Sequence, residues 1–173
     1  MIKKIAGLAT ILVSVLALTG CGATGAQAPT RNIKQVTDGV EAQSGSIYIR
    51  DLLLVAQPDG TGALVATFIN EGTTPDTLTG IKVAGIDATL SSASSSLDLL
   101  QNTPLIFSGD SANATGYVTG LNAAPGTRVD VVVRFAHSPS VTLSALVRDN
   151  TDYFTGVGGK PAQSPAPSPT ATK

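Results

Sequence analysis

A thiol, an imidazole and a thioether each occur once among the 173 residues, as Cys21, His137 and Met1. One thiol cannot build a disulfide framework, and a structural zinc site needs several thiolates or imidazoles. A serine nucleophile needs a base beside it, and only His137 offers an imidazole; neither Gly-x-Ser-x-Gly nor Ser-x-x-Lys occurs. His137 lies in the polar link Ala136-His137-Ser138-Pro139 and reads as an exposed turn histidine, with a weak metal contact as the alternative. The ten Asp are scattered, and no spacing selects two of them for acid–base work. Asp149-Asn150-Thr151-Asp152 has the oxygen ligands hard cations prefer, but it lacks the glycine turn and terminal glutamate of a calcium loop. It reads as a solvated strand-end turn. Eleven Lys and Arg against twelve Asp and Glu leave a net charge of −1 and no basic face for nucleic acid. No catalytic set, metal set or cofactor site emerges, and the expectation is a protein that is not an enzyme.

The cysteine stands in a telling place. Lys3 and Lys4 precede an apolar run of 14 residues, Ile5 to Leu18. As a helix that run spans about 21 Å, short of the ~30 Å hydrocarbon core, which suits a secretory signal better than a membrane span. It ends Leu18-Thr19-Gly20-Cys21, which resembles the bacterial lipoprotein signal. That resemblance implies peptidase recognition at Leu18, Thr19 and Gly20, and a diacylglycerol thioether on Cys21, which becomes the mature N-terminus. A single myristoyl chain binds membranes only marginally, whereas two or three long chains, palmitate among them, hold a protein essentially permanently. Removal of residues 1–20 takes Lys3 and Lys4 and moves the net charge from −1 to −3. The expected location is the extracytoplasmic face of the cell membrane. Asn113-Ala114-Thr115 matches a glycosylation sequon, and in such a protein it reads as a chance match.

The chain divides into four parts: a signal over 1–20, a flexible tether over 21–44, a domain over 45–155 and a Pro/Ala/Ser/Thr-rich tail over 156–173. The tether is rich in Gly, Ala, Thr and Gln, with Val36 and Val40 able to dock locally, and reaches on the order of 27 Å. The tail carries Pro161, Pro165, Pro167 and Pro169 and cannot build a packed core. It is either an end without a role or a spacer across the cell wall.

Between the ends the period is two. Val129, Val131, Val133 and Phe135 share one face of Thr127–Phe135, and Val141, Leu143, Ala145 and Val147 share one face of the next segment. The short Ala136–Ser140 link makes those two a hairpin. Ile47–Ala56 and Gly62–Asn70 form another, turned by Gln57-Pro58-Asp59-Gly60-Thr61. Thr77–Val83, Ala88–Leu90, Leu97–Leu100, Pro104–Phe107 and Ala114–Thr119 are further strands, and Ser91–Ser96 is a surface loop or irregular edge. Seven or eight short strands predict an all-β, antiparallel β-sandwich. Phe68 and Phe135 belong to its core. Tyr153-Phe154 packs back on the sandwich rather than facing a partner, and Asp76 caps a turn with its side-chain oxygen.

Phe68-Ile69-Asn70-Glu71-Gly72 followed by Asp76-Thr77-Leu78-Thr79-Gly80 resembles a segment of the PCuAC-type periplasmic copper chaperones. Gly120-Leu121, Pro125-Gly126-Thr127-Arg128-Val129 and the strands to Val147 continue the pattern. The likeness covers roughly Gly45 to Val147 and is greatest to actinobacterial lipoproteins of the LpqE type. It implies an immunoglobulin-like or cupredoxin-like sandwich and a Cu(I) site of His and Met. The family's His-x-Met pair falls at Thr115 and Tyr117, and Ala84 to Leu100 contains neither His nor Met. The copper ligands are missing, so copper chemistry is not expected to carry over.

These readings converge on a lipid-anchored, non-enzymatic binding or interaction module at the cell envelope. It has no cofactor, it meets the membrane through Cys21, and its partner is an envelope protein, a lipid or a wall component. A copper carrier with non-standard ligands is the alternative.

Overall fold

The first strand of the computed structural model, which describes residues 38–158, begins inside the segment expected to be tether. β1 (Val40–Ser44) pairs antiparallel with the first half of β2 (Ile47–Ala56), so the tether expectation is corrected over those five residues. Val-Glu-Ala-Gln-Ser carries little strand signal of its own. The backbone edge of β2 supplies the hydrogen-bond partners that make it one. The signal, the expected tether up to residue 37, and the tail from 159 onward lie outside the described residues.

β2 and β3 (Thr61–Asn70) form the expected hairpin. Gly60 takes φ +79°, a left-handed conformation that favours glycine. The Asp59 carboxylate accepts from the N–H of Thr61 at 3.0 Å and from its hydroxyl at 2.6 Å, closing the turn. Midway along β2 the register slips between Arg50 and Leu53, with Asp51 at φ +52°. This bulge reverses the parity of the strand. Ile47 and Ile49 point into the main core before it, and Leu52 and Leu54 after it, while Leu53 and Val55 turn to the opposite face. The continuous apolar run Leu52–Val55 is therefore buried on both sides of the sheet.

The other strands are β4 (Asp76–Val83), β5 (Ile86–Asp87), β6 (Thr89–Ser92), β7 (Asp98–Leu99), β8 (Leu105–Ile106), β9 (Ala114–Thr119), β10 (Arg128–Phe135) and β11 (Val141–Asp149). They run in the order β5-β4-β10-β11-β2-β3-β9-β6, with β1 beside β2, β7 beside β4 and β8 beside β3. The all-β sandwich holds, with eleven strands in place of the seven or eight expected; three of the eleven are only two residues long. Its pairings are antiparallel except one. β11 lies parallel to β2 through Val147, Arg148 and Asp149, and this seam joins the β4–β10–β11 half to the β2–β3–β9 half.

The core lies between the halves. Phe68 on β3 is fully buried and meets Phe107 edge-on at 5.7 Å and Phe135 on β10 at 6.4 Å. Edge-to-face rings at these separations add stabilisation beyond the area they bury.

Candidate functional site

Alternation along β9 turns Ala114, Gly116 and Val118 inward and leaves Thr115 and Tyr117 on the outer face. These two are the positions that resemblance aligns with a copper-binding pair. β6 lies against β9 with Ser91 opposite Thr115 and Thr89 opposite Tyr117. The Ser91 and Thr115 hydroxyls are 2.7 Å apart and satisfy one another. The side chains at this place therefore offer oxygen only, with no thioether or imidazole.

His137 is exposed, as expected, in the link between β10 and β11. That link is held by Asp76 and by the Ser44 hydroxyl, which donates to the carbonyl of Pro139 at 2.6 Å, and neither residue belongs to β9 or β6. Among the described residues no three His, Cys, Asp or Glu side chains gather as a metal site. In the Asp149–Asp152 turn, the Thr151 hydroxyl donates to Asp149 at 2.8 Å and the Asn150 amide donates to Gln57 at 2.8 Å. The Asn113 side chain bridges its own loop, accepting from the N–H of Ile106 at 2.8 Å and donating to the carbonyl of Pro104 at 3.0 Å.

Two buried polar residues of the motif that carries the family resemblance act as fasteners. Asn70 is fully buried with both donors and both lone pairs used. Its amide donates to the carbonyls of Thr74 and Leu99, and its oxygen accepts from the Ser46 hydroxyl and the N–H of Gly72. A side chain at Gly72 has no room, since its Cβ would stand 2.5 Å from the Ser46 hydroxyl oxygen. Asp76 accepts from the N–H groups of Thr77 at 2.7 Å, His137 at 3.0 Å and Ser138 at 2.8 Å. The expected turn cap is real, but two of its donors sit in a hairpin link about sixty residues away. Burial pushes the Asp76 pKa up; the Ser138 hydroxyl and the three backbone donors outweigh it and hold the carboxyl below its ordinary range.

The outer face of the second half carries a feature that sequence reasoning missed. After β11 the chain crosses back as a strap, with a 3-10 turn at Asp152–Phe154. Phe154 and Val157 pack on Leu53, Val55 and Ala63, and the Arg148 guanidinium lies 5.5 Å from the centre of the Phe154 ring. Gln57 clamps the strap, donating to the carbonyl of Val157 at 3.0 Å while accepting from Asn150. The expected packing of Tyr153-Phe154 is thus corrected for one residue: Phe154 packs, but Tyr153 is 99% exposed. A three-residue turn points successive side chains in different directions, so both cannot face the sheet. Val157 also extends the folded region past the expected boundary at 155. The only sequence sign was the double-faced apolar run on β2, which needs a cover on each side. Between the strap and the β8–β9 loop runs a groove of about 460 Å³, lined by Thr115 and by Tyr153.

No protein-family model matches the sequence, and no curated protein matches it. Solved structures do match. The apo PCuAC domain from PmoF1 superposes with a TM-score of 0.56 at 19% identity, over 64% of this chain and 99% of that domain. The copper-bound PCuAC domain from PmoF2 gives 0.55 at 19% identity, over 64% of this chain and 98% of that one. The apo PmoF2 domain gives 0.53 at 16% identity, over 64% and 95%. The fold is therefore PCuAC-like. Thr115 and Tyr117, which the sequence resemblance matches to that family's His and Met, carry hard oxygen donors, which do not suit Cu(I).

Proposed function

We propose that this chain is an extracytoplasmic lipoprotein, anchored in the cell membrane through lipid on Cys21, and that its sandwich is a non-enzymatic binding module. The observation that supports the binding role is the Ser91–Thr115 hydroxyl pair, since the sequence resemblance matches Thr115 to one of the soft ligands of a PCuAC domain. The scaffold is kept and the donor chemistry is changed, which favours a surface that recognises a partner over one that carries copper. Leu18-Thr19-Gly20-Cys21 supports the anchor, since export and acylation need small residues followed by a thiol. Peptidase recognition falls on Leu18, Thr19 and Gly20. The partner is an envelope protein, a lipid or a wall component, and nucleic acid is disfavoured by a net charge of −1.

Mass spectrometry of the membrane fraction tests the anchor. Residues 1–20 should be absent and Cys21 heavier by its lipid, while Cys21→Ala should leave the bilayer fraction after a salt wash. An unmodified thiol, or a variant that stays with the bilayer, overturns it. Crosslinking of intact envelopes tests the binding role, and repeated recovery of nothing beyond background counts against it. Copper carriage on non-standard ligands is the second reading and has only the fold in its favour.

A further inference from the structure

We infer that the groove between the C-terminal strap and the β8–β9 loop is a binding site for a neutral carbohydrate chain, an inference that rests on the binding-module reading and names its ligand class. The groove's volume of about 460 Å³ falls in the range of small-ligand sites. Its side-chain polar groups all carry oxygen: the hydroxyls of Ser108, Thr115, Tyr153 and Thr155 and the carboxylate of Asp110. Ser108, Asp110 and Thr155 make no side-chain hydrogen bond among the described residues. They remain open to a ligand that both donates and accepts. Among the described residues no Lys, Arg or His lines the groove, and the one charged side chain there, Asp110, disfavours a phosphate or carboxylate ligand.

Tyr153 decides between a merely polar ligand and a sugar. A fully exposed ring held in water gains by covering an apolar surface, and the C–H face of a pyranose supplies one while its hydroxyls reach the oxygens beside it. The backbone that carries the ring is held in place. Phe154 beside it is packed on Val55 and Ala63, and Gln57 bonds the strap on both sides of the turn, at Asn150 and Val157. Such preorganisation reduces the ordering cost of binding.

The test titrates the full chain, held in detergent, with chitotetraose and with maltotetraose, read by tyrosine fluorescence and by NMR shifts of strap and β8–β9 loop amides. Saturable binding by at least one sugar is expected. Tyr153→Ala should weaken it about tenfold, Asp110→Asn should weaken it as well, and Thr142→Ala, on the exposed face of β11, should leave it unchanged. Thermal unfolding of each variant separates lost binding from lost fold, and Tyr153→Ala removes an exposed ring only. Absence of saturable binding to both sugars overturns the inference. So does binding that survives Tyr153→Ala, or binding to a cationic probe (tetramethylammonium) that displaces the sugar and fades with salt. If the sugars fail while envelope crosslinking still recovers a specific partner, the binding-module reading stands and this ligand class alone falls.

Discussion

The backbone N–H of His137 donates to Oδ1 of Asp76 at 3.0 Å, across 61 positions of sequence. The chain's single imidazole thus sits on a link that is tied to β4 through its main chain, and the ring itself faces water. Asp76 is a fastener between β4 and the β10–β11 link rather than an acid–base group, and its removal should be felt in stability.

Asp76→Ala should destabilise the fold by about 3 kcal/mol, because three backbone donors lose a charged acceptor, and Asp76→Asn by roughly half as much. Urea unfolding near neutral pH reads both. The pH dependence has a definite sign. The folded pKa lies below the ordinary 3.8, so the carboxylate stabilises the fold above that value and its contribution is lost as pH falls through the folded pKa. The wild type should therefore lose stability below about pH 4 more steeply than Asp76→Asn. Parallel acid profiles would remove Asp76 from this role.

Phe68 bridges the two halves of the sandwich, meeting Phe135 on β10 across the core and Phe107 beside its own strand. Phe68→Ala should cost about 3–5 kcal/mol, since it opens a cavity between two sheets that cannot close on it. Phe68→Leu should recover much of that loss. Equilibrium unfolding gives both values, and an alanine cost near that of an exposed site would show that the rings do not carry the seam.

Gln57→Ala removes both bonds that hold the strap, one to Val157 and one from Asn150. Local opening of the strap should become easier by about 1–2 kcal/mol. In hydrogen exchange, the N–H groups of Phe154 and Val157 should lose protection while the β2–β3 hairpin keeps its own. Equal loss in both would mean that the strap unfolds only with the whole domain.

Cu(I) titration of the chain should show no tight stoichiometric uptake, and His137→Ala should not change the result, because Thr115 and Tyr117 provide no soft donor. Tight binding that His137→Ala abolishes would reinstate the copper-carrier reading.

Local chemistry was legible wherever neighbours in sequence were enough. The alternation in Ala114–Thr119 predicts β9 to the residue, and Asp59-Gly60 predicts the β2–β3 turn, because a period of two and a positive φ are properties of a few adjacent residues. β1 was hidden because Val40–Ser44 becomes a strand only when β2 offers its edge. Asp76 could be recognised as a cap but not matched to its turn, since the donors at His137 and Ser138 arrive through the pairing of β10 with β4. The missing soft ligands could be read from residue types alone. The groove could not, because its walls come from a strap and a loop that no local pattern brings together.

The sequence by itself therefore determined the β class, the hairpins, the scarcity of reactive side chains and the place of Cys21, all of which follow from residue type and near-neighbour spacing. Only the tertiary structure decided the parallel seam of β11 on β2, the reversal of facing at Asp51 and the exposure of Tyr153 beside a packed Phe154. These depend on which distant surfaces meet, and that is settled by burying both faces of the central hairpin together rather than by any stretch of chain alone.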